Sequence, residues 1–408
     1  MFFLLSTGHA QIPDTISTNA GYSDQVWYSF RNGEEARAPQ AEWDLAFEIS
    51  GFSSAIHLNT VTGAQVWLYP NGDTAQWSTV DTAGIGNWTD AYNADTSWTI
   101  GALNAGFDPN DDFDLGWGTY NFITHHVTGD SLFVVKLADG SYKKLWIELL
   151  ASGIYSFRHA DLDGSNEIRT SVAKADYQGK NFAYYSMSND AYMDREPMSA
   201  DWDLLFGRYT AALGPGVYYP VTGVLANAGV ETARVYPVDD PMSYDYNAAS
   251  FSTEINTIGW DWKTFDFMTN SFVLEDSMVF FAKAKNGAYW RMVMTAFGGS
   301  ANGNFIFNTE QLTNATDIEA DIPVAFFSAY PNPATDQRLV VAYDLPLDTE
   351  GAALSLFDLQ GRTIFQQQLT ATGSLQRTSI ELPGLAAGVY TLSLRHEAGV
   401  QYQKLIIR

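Results

Sequence analysis

Apolar residues in this chain gather in short, aromatic-rich runs, and glycine, asparagine or aspartate stops each one. Runs at 25–30, 43–50 and 65–69 are separated by Asn32-Gly33 and Thr62-Gly63, and Asn71-Gly72-Asp73 ends the third. Runs bounded in this way predict strands joined by turns. Apolar runs at 132–137 and 144–150 flank Asp139-Gly140, and runs at 278–284 and 289–296 flank Asn286-Gly287. Each pair predicts a β-hairpin. No stretch of any length carries helical periodicity. The pattern predicts an all-β protein.

The runs also echo one another. Trp43-Asp44-Leu45-Ala46-Phe47 returns as Trp202-Asp203-Leu204-Leu205-Phe206. Before them, Trp27-Tyr28-Ser29-Phe30 answers Tyr184-Tyr185-Ser186-Met187. After them, Asp130-Ser131-Leu132-Phe133 answers Asp276-Ser277-Met278-Val279. A period this long is a duplicated domain rather than a solenoid, whose repeats are far shorter. The division expected is repeat 1 over 21–174 and repeat 2 over 175–314. Within repeat 2, strands are expected at 183–187, 201–208, 217–221, 233–236 and 305–307. The Gly-, Asn- and Asp-rich stretch 81–114 is an excursion of loops without a counterpart in repeat 2. The recurring Trp and Phe are expected to fill the cores, with the Asp accepting from backbone or from the indole N–H. A polar linker follows over 315–327. Short alternating strands then crowd residues 328–408, which predicts an Ig-like β-sandwich. The fold class is therefore all-β: two related mostly-β repeat domains plus a C-terminal sandwich.

Charge and composition narrow the setting. The formal net charge is -25, and residues 328–408 hold six Lys/Arg against seven Asp/Glu, so about -24 falls before them. Nucleic-acid affinity depends on Lys/Arg neutralising phosphate, so a nucleic-acid partner is excluded and the acidity reads as solubility. There is no cysteine, which excludes thiol catalysis, thiolate zinc sites and iron–sulfur clusters. Residues 1–10 carry an apolar run and end on Gly8-His9-Ala10. Without a basic start they read as the back half of a signal peptide. No later run reaches the ~18 apolar residues of a membrane helix.

Residues 328–408 resemble the C-terminal sorting domain (type A) of proteins exported by the type IX secretion system of Bacteroidetes-type bacteria. The resemblance lies in Tyr330-Pro331-Asn332-Pro333-Ala334, Phe357-Asp358-Leu359-Gln360-Gly361-Arg362, Leu385-Ala386-Ala387-Gly388-Val389-Tyr390 and the terminal Lys404-Leu405-Ile406-Ile407-Arg408. It implies a partner, the type IX machinery, acting through 328–408. It also implies secreted or outer-membrane-surface localisation after passage through the periplasm, and attachment to surface lipopolysaccharide. The repeats resemble HmuY-like haem-binding proteins, here in tandem, on the aromatic-Ser strands, the Trp-Asp motifs and the closing hairpins. That resemblance implies haem clasped by axial His or Met on loops.

The residues suited to such chemistry are few. His125-His126 lie just before the closing hairpin, and counting from Gly116-Trp117 and Gly259-Trp260 sets His125 opposite Met268. His159 or His57 is the partner in repeat 1. His125, His126, His159 and Met268 are thus candidate haem ligands, against the alternative of loop histidines and a packed Met. Asp161, Asp163 and Asn166, in Asp161-Leu162-Asp163-Gly164-Ser165-Asn166, are candidate calcium ligands, or else an ordinary turn. No zinc-protease, nucleophile-elbow or phosphate-loop signature is present. The function expected is non-enzymatic binding at the cell surface, haem or another porphyrin being the sharpest candidate. The alternative is a structural or adhesive surface protein without a haem site.

Overall fold

The computed structural model describes residues 13–49, 54–111 and 113–313, and within 326–407 all but 331, 333, 335–337, 346–350, 359–361, 371–375, 383 and 397–398. The signal-peptide stretch 1–10 and most of the linker lie outside the described residues. The linker's last residues already belong to a strand, Phe326–Tyr330. The chain divides into two compact units, 1–314 and 315–408. Both are all-β, and the helical turns among the described residues are short 3-10 segments.

In the first unit both closing hairpins form where turn chemistry sets them. Phe133–Lys136 pairs with Tyr142–Ala151, and Val279–Lys283 with Tyr289–Phe297. Asp139 Oδ1 accepts from the Ser141 N–H at 2.8 Å, and Asn286 Oδ1 from the Ala288 N–H at 3.0 Å, with Gly140 and Gly287 at positive φ. The first hairpin belongs to an eight-stranded sheet that also holds Ile154–Asp161, Ile168–Ala173 and Gln65–Leu68. The second belongs to a five-stranded sheet running from Asp14–Ser17 through Asn304–Gln311 to Glu231–Val235.

Two four-stranded sheets cross the repeat boundary. Leu45–Glu48 pairs not with the aromatic strand before it but with Phe182–Ser186, in register Leu45↔Tyr185 and Phe47↔Ala183. Leu204–Gly214 pairs with Asp24–Ser29, in register Leu204↔Tyr28 and Phe206↔Val26. Each Trp-Asp strand is thus completed by the aromatic-Ser strand of the other repeat. The cores follow the exchange. One gathers Leu45, Phe47, Leu145, Ile147 and Phe157 with Ala183, Tyr185 and Met187. The other gathers Leu204, Phe206, Phe280 and Phe305 with Ile16, Val26, Tyr28 and Phe30. A division at 174/175 describes the duplication, but it cuts both cores.

The second unit is a sandwich. Phe326–Tyr330, Arg338–Asp344 and Gln376–Glu381 form one sheet, and Thr363–Gln368, Ala353–Phe357, Gly388–His396 and Gly399–Ile407 the other. Leu339, Val341 and Ile380 meet Leu354, Leu356, Leu392, Leu394 and Leu405 between them. The i, i+2 spacing of these residues is what a sheet with one buried face requires.

Candidate ligand cavity between the repeats

The exchange is pinned by the Asp of each Trp-Asp pair. Asp44 accepts from the Met187 N–H at 2.7 Å and the Ser188 N–H at 3.3 Å. Asp203 accepts from the Phe30 N–H at 2.9 Å. Burial raises both carboxyls, Asp203 to about 6, against the opposing pull of those N–H groups. The indole N–H of Trp43 is not a donor to Asp44, nor that of Trp202 to Asp203, since both are buried without a partner.

Those two indoles face the other side of their sheets. Leu45 and Phe47 enter one core, whereas Trp43 packs with Ala46, Phe182 and Tyr184. Likewise Leu204 and Phe206 enter the other core, and Trp202 packs with Leu205, Trp27 and Leu225. The strands begin at Leu45 and Leu204, so the tryptophans precede them and escape strict alternation. The expectation that Trp43 and Phe47 share one core is corrected accordingly.

Between these aromatic faces lies a cavity of about 80 Å³. Its lining includes Trp27, Trp43 and Tyr184, and across from them in sequence Trp202, Leu205 and Tyr209. The 81–114 excursion supplies Trp98. Asn93 holds that loop beside the Ile56–Leu58 strand, accepting from the Leu58 and Ala102 N–H groups at 3.1 and 2.9 Å. At Gly101 a Cβ would stand 2.1 Å from the Ile56 carbonyl oxygen, so glycine alone permits the approach. Trp98 Nε1 then donates to the Ala226 carbonyl at 2.9 Å, tying the loop to the second repeat.

Buried charge beside the cavity is compensated within the chain, and Arg208 lines it half-exposed. Arg195 donates to Glu42, Gln25 and the Pro39 carbonyl at 3.1, 2.8 and 2.7 Å. Its guanidinium lies 5.1–5.9 Å from the ring centres of Tyr184, Trp27 and Trp43. Glu196 accepts from the Asn181 N–H and the Tyr184 hydroxyl at 2.8 and 2.9 Å, and burial lifts it to about 7. Burial pushes His57 down to about 4, so it is neutral at pH 7, with Nε2 2.8 Å from the Trp98 carbonyl. Against this, Gln40 Oε1, Trp43 Nε1, Trp202 Nε1 and the Tyr209 hydroxyl are buried and unanswered, and all four residues line the cavity. Each of these atoms has essentially no accessible surface, so the residues line the cavity through other atoms. A concave, largely apolar and aromatic site is the usual form of a ligand pocket.

His57, named with His159 as a possible partner, lines the cavity, whereas His125, His126, His159 and Met268 lie elsewhere. His125 sits at positive φ in the tip of the hairpin Gly118–Asn121/His126–Gly129, its Nδ1 2.6 Å from the Tyr120 hydroxyl. Met268 is 94% exposed in the tip of the matching hairpin Lys263–Asp266/Ser271–Leu274. The tips correspond, but in a different register. Asn121 Oδ1 accepts from the Ile123 N–H as Asp266 Oδ1 does from the Met268 N–H, and His125 and Asn270 share positive φ. Met268 therefore matches Ile123, and His125 matches Asn270. The buried tryptophan ahead of each hairpin is Trp117 or Trp262, so counting from Trp260 slips by two residues. His126 opens its strand, half-buried.

His159 is fully buried opposite Leu145, its Nε2 2.9 Å from the Tyr185 hydroxyl. The His126 hairpin joins the same strand near Leu150, on the order of 20 Å away at strand rise. Asp161, Asp163 and Asn166 form the turn after Ile154–Asp161. Asp161 pairs with Lys143 at 2.7 Å and accepts from Asn166 Nδ2 at 2.7 Å, while Asp163 accepts from the Ser165 hydroxyl at 2.6 Å. Both Asp161 oxygens and Asp163 Oδ1 are engaged by the chain's own donors.

The sandwich of the second unit decides where the molecule goes. Residues 328–408 match the family of secretion system C-terminal sorting domains. They are a type IX sorting domain. The tail directs export, to the medium or the cell surface, through the type IX machinery. No helix among the described residues is long and apolar enough to cross a membrane. Among curated proteins none matches the chain. Dimeric latent PorU from Porphyromonas gingivalis is similar at 10% identity and TM-score 0.18, over 88% of this chain and 35% of that one. The chain thus spans about a third of that protein's length. A biofilm associated protein BSP domain is similar at 10% identity and TM-score 0.16, over 99% and 68%. Likenesses this low carry no argument about function.

Proposed function

We propose that residues 13–313 form a non-enzymatic binding module, carried to the cell surface by the sorting tail, with the Trp43–Trp202 cavity as its ligand site. The observation that carries this reading is a cavity walled by aromatic side chains of both repeats, Trp27, Trp43 and Trp98 from one and Phe182, Tyr184 and Trp202 from the other. Its size supports a small ligand or the end of a larger one. Cofactor-sized ligands occupy pockets of roughly 300–1,000 Å³. Attachment to surface lipopolysaccharide, with the module facing outward, fits the type IX tail.

A HmuY-like character with haem at the first hairpin is the second reading. What favours it is local: the Tyr120 hydroxyl, His125 and His126 stand together on one tip, and Tyr and His both ligate haem iron. Haemin titration of the full chain, followed by absorption and by thermal shift, separates the two. A Soret shift lost in the His125→Ala, His126→Ala double variant supports the hairpin. Saturable stabilisation by small neutral solutes, lost in Ala46→Leu, supports the cavity. If neither haemin nor any small solute stabilises the chain, the binding function itself is wrong.

A further inference from the structure

Turn chemistry at two hairpin tips aims apolar side chains outward. Asn121-Phe122-Ile123-Thr124-His125 caps the hairpin Gly118–Asn121/His126–Gly129, and Asp266-Phe267-Met268-Thr269-Asn270 caps Lys263–Asp266/Ser271–Leu274. The opening Asn or Asp accepts from the N–H two residues on, at 2.8 Å in both, and His125 and Asn270 take the positive φ that closes the turn. Among the described residues the three most exposed large apolar side chains are Met268, Phe267 and Ile123, at 94, 87 and 75%. Phe122, beside Ile123, is also exposed. The ring of Phe122 is centred 5.9 Å from that of Phe113, and Phe267 5.1 Å from Phe265, so each tip continues into further aromatic surface. A single exposed apolar residue needs no explanation. The same pair at the same turn in both copies does, since the copies differ in their other loops.

We propose that the two tips insert into a phospholipid membrane with zwitterionic headgroups, that of another cell met after export. A stable protein interface buries roughly 800 Å² on each partner. Even at the roughly 150–250 Å² of a large aromatic side chain each, the two residues of a tip fall well short of that. The second position is Ile in one copy and Met in the other, shapes that a packed protein pocket tells apart and fluid acyl chains do not. An apolar medium also requires backbone groups to be satisfied from within the chain. Asn121 Oδ1 accepts from the Ile123 and Thr124 N–H groups at 2.8 and 3.1 Å, and the Asn121 carbonyl from the His125 N–H at 2.8 Å. Asp266 accepts from the Met268 N–H and the Thr269 hydroxyl, both at 2.8 Å. The flanks set the headgroup charge. Residues 118–129 hold no Lys or Arg, the one Lys of 263–274 is buried, and Asp130, Asp266 and Glu275 stand close by in sequence. Anionic lipid is recruited by clustered Lys and Arg, so an anionic surface, the cell's own lipopolysaccharide included, repels these tips.

The test is co-sedimentation of the full chain with phosphatidylcholine vesicles, with and without added phosphatidylglycerol. The chain should bind the zwitterionic vesicles and bind less as phosphatidylglycerol is added. Phe122→Ser with Ile123→Ser, and Phe267→Ser with Met268→Ser, should each weaken binding at least about twofold, since one of two tips is lost. The quadruple variant should not bind. All four side chains are exposed, so the variants keep both cores, which unchanged circular dichroism checks. Binding that survives in the quadruple variant overturns the proposal, as does tighter binding to vesicles rich in phosphatidylglycerol. Absence of binding to phosphatidylcholine at millimolar lipid overturns it too. Self-association of the chain in sedimentation velocity, lost in the quadruple variant, would make the tips a protein contact and rule out the membrane.

Discussion

Asp203 shows how a buried carboxyl contributes to the pH response of the first unit. Its carboxyl is buried and bonded to the Phe30 N–H, and burial dominates, lifting it to about 6. Glu196 is lifted to about 7 and Asp44 is raised as well, each chiefly by burial. In the unfolded chain such groups lose their protons near pH ~4. From there up to the folded values the folded state holds more protons than the unfolded one. Stability contributed by these groups is complete below pH ~4 and is lost as pH rises through 6 and 7, by about 1.4 kcal/mol per unit for each group. Asp203→Asn keeps an oxygen for the Phe30 N–H and removes the titration. It should therefore stabilise the protein at pH 7.5, by on the order of 2 kcal/mol, and make no difference near pH 4. Chemical denaturation at the two pH values measures this. A variant less stable at pH 7.5 than the parent would mean that the charged carboxylate is what holds the exchanged strand.

At the scale of elements, the exchanged strands decide what can fold alone. A fragment 21–174 contains Leu45–Glu48 but not its partner Phe182–Ser186, and it loses Ala183, Tyr185 and Met187 from the first core. Fully burying side chains of this size contributes roughly 1.5–3 kcal/mol each for the larger ones, comparable with the margin of a small domain. A fragment 40–195 has the same core intact. The longer fragment should unfold cooperatively in urea, and 21–174 should give no cooperative transition by circular dichroism. Equal cooperativity of both would show that the exchange is dispensable.

The same strands mark the boundary of what the sequence makes legible. The Asp139-Gly140 and Asn286-Gly287 hairpins could be read because their turns are local chemistry. The duplication could be read because both copies keep their landmarks in order. The choice of partner for Leu45–Glu48 could not, since Trp27-Tyr28-Ser29 and Tyr184-Tyr185-Ser186 present the same apolar pattern to it. The spacing of Trp43 from Phe47 suits one strand face and so predicts that both enter the core. The strand starts only at Leu45, and the indole turns to the cavity instead. The hairpin register is not legible because Trp260 and Trp262 both offer themselves as the match for Trp117.

For the molecule as a whole, the two units divide labour, one built around a cavity and the other around an address. The address depends on its last two strands. Gly388–His396 is central in its sheet, bonded to Ala353–Phe357 on one side and to Gly399–Ile407 on the other. Deleting residues 385–408 removes both strands, along with Leu392, Leu394 and Leu405 from the sandwich core. At roughly 1.5–3 kcal/mol for each buried leucine, the remaining strands cannot hold one sheet on the other. The first unit keeps every residue of its own cores in that variant. The deletion should therefore leave a folded cavity module trapped in the periplasm, detected by fractionation together with unchanged tryptophan fluorescence of the module. Fusing 328–408 to an unrelated periplasmic protein should carry that protein out in turn. Surface display of the truncated chain, or retention of the fusion, would assign export to some other part of the molecule.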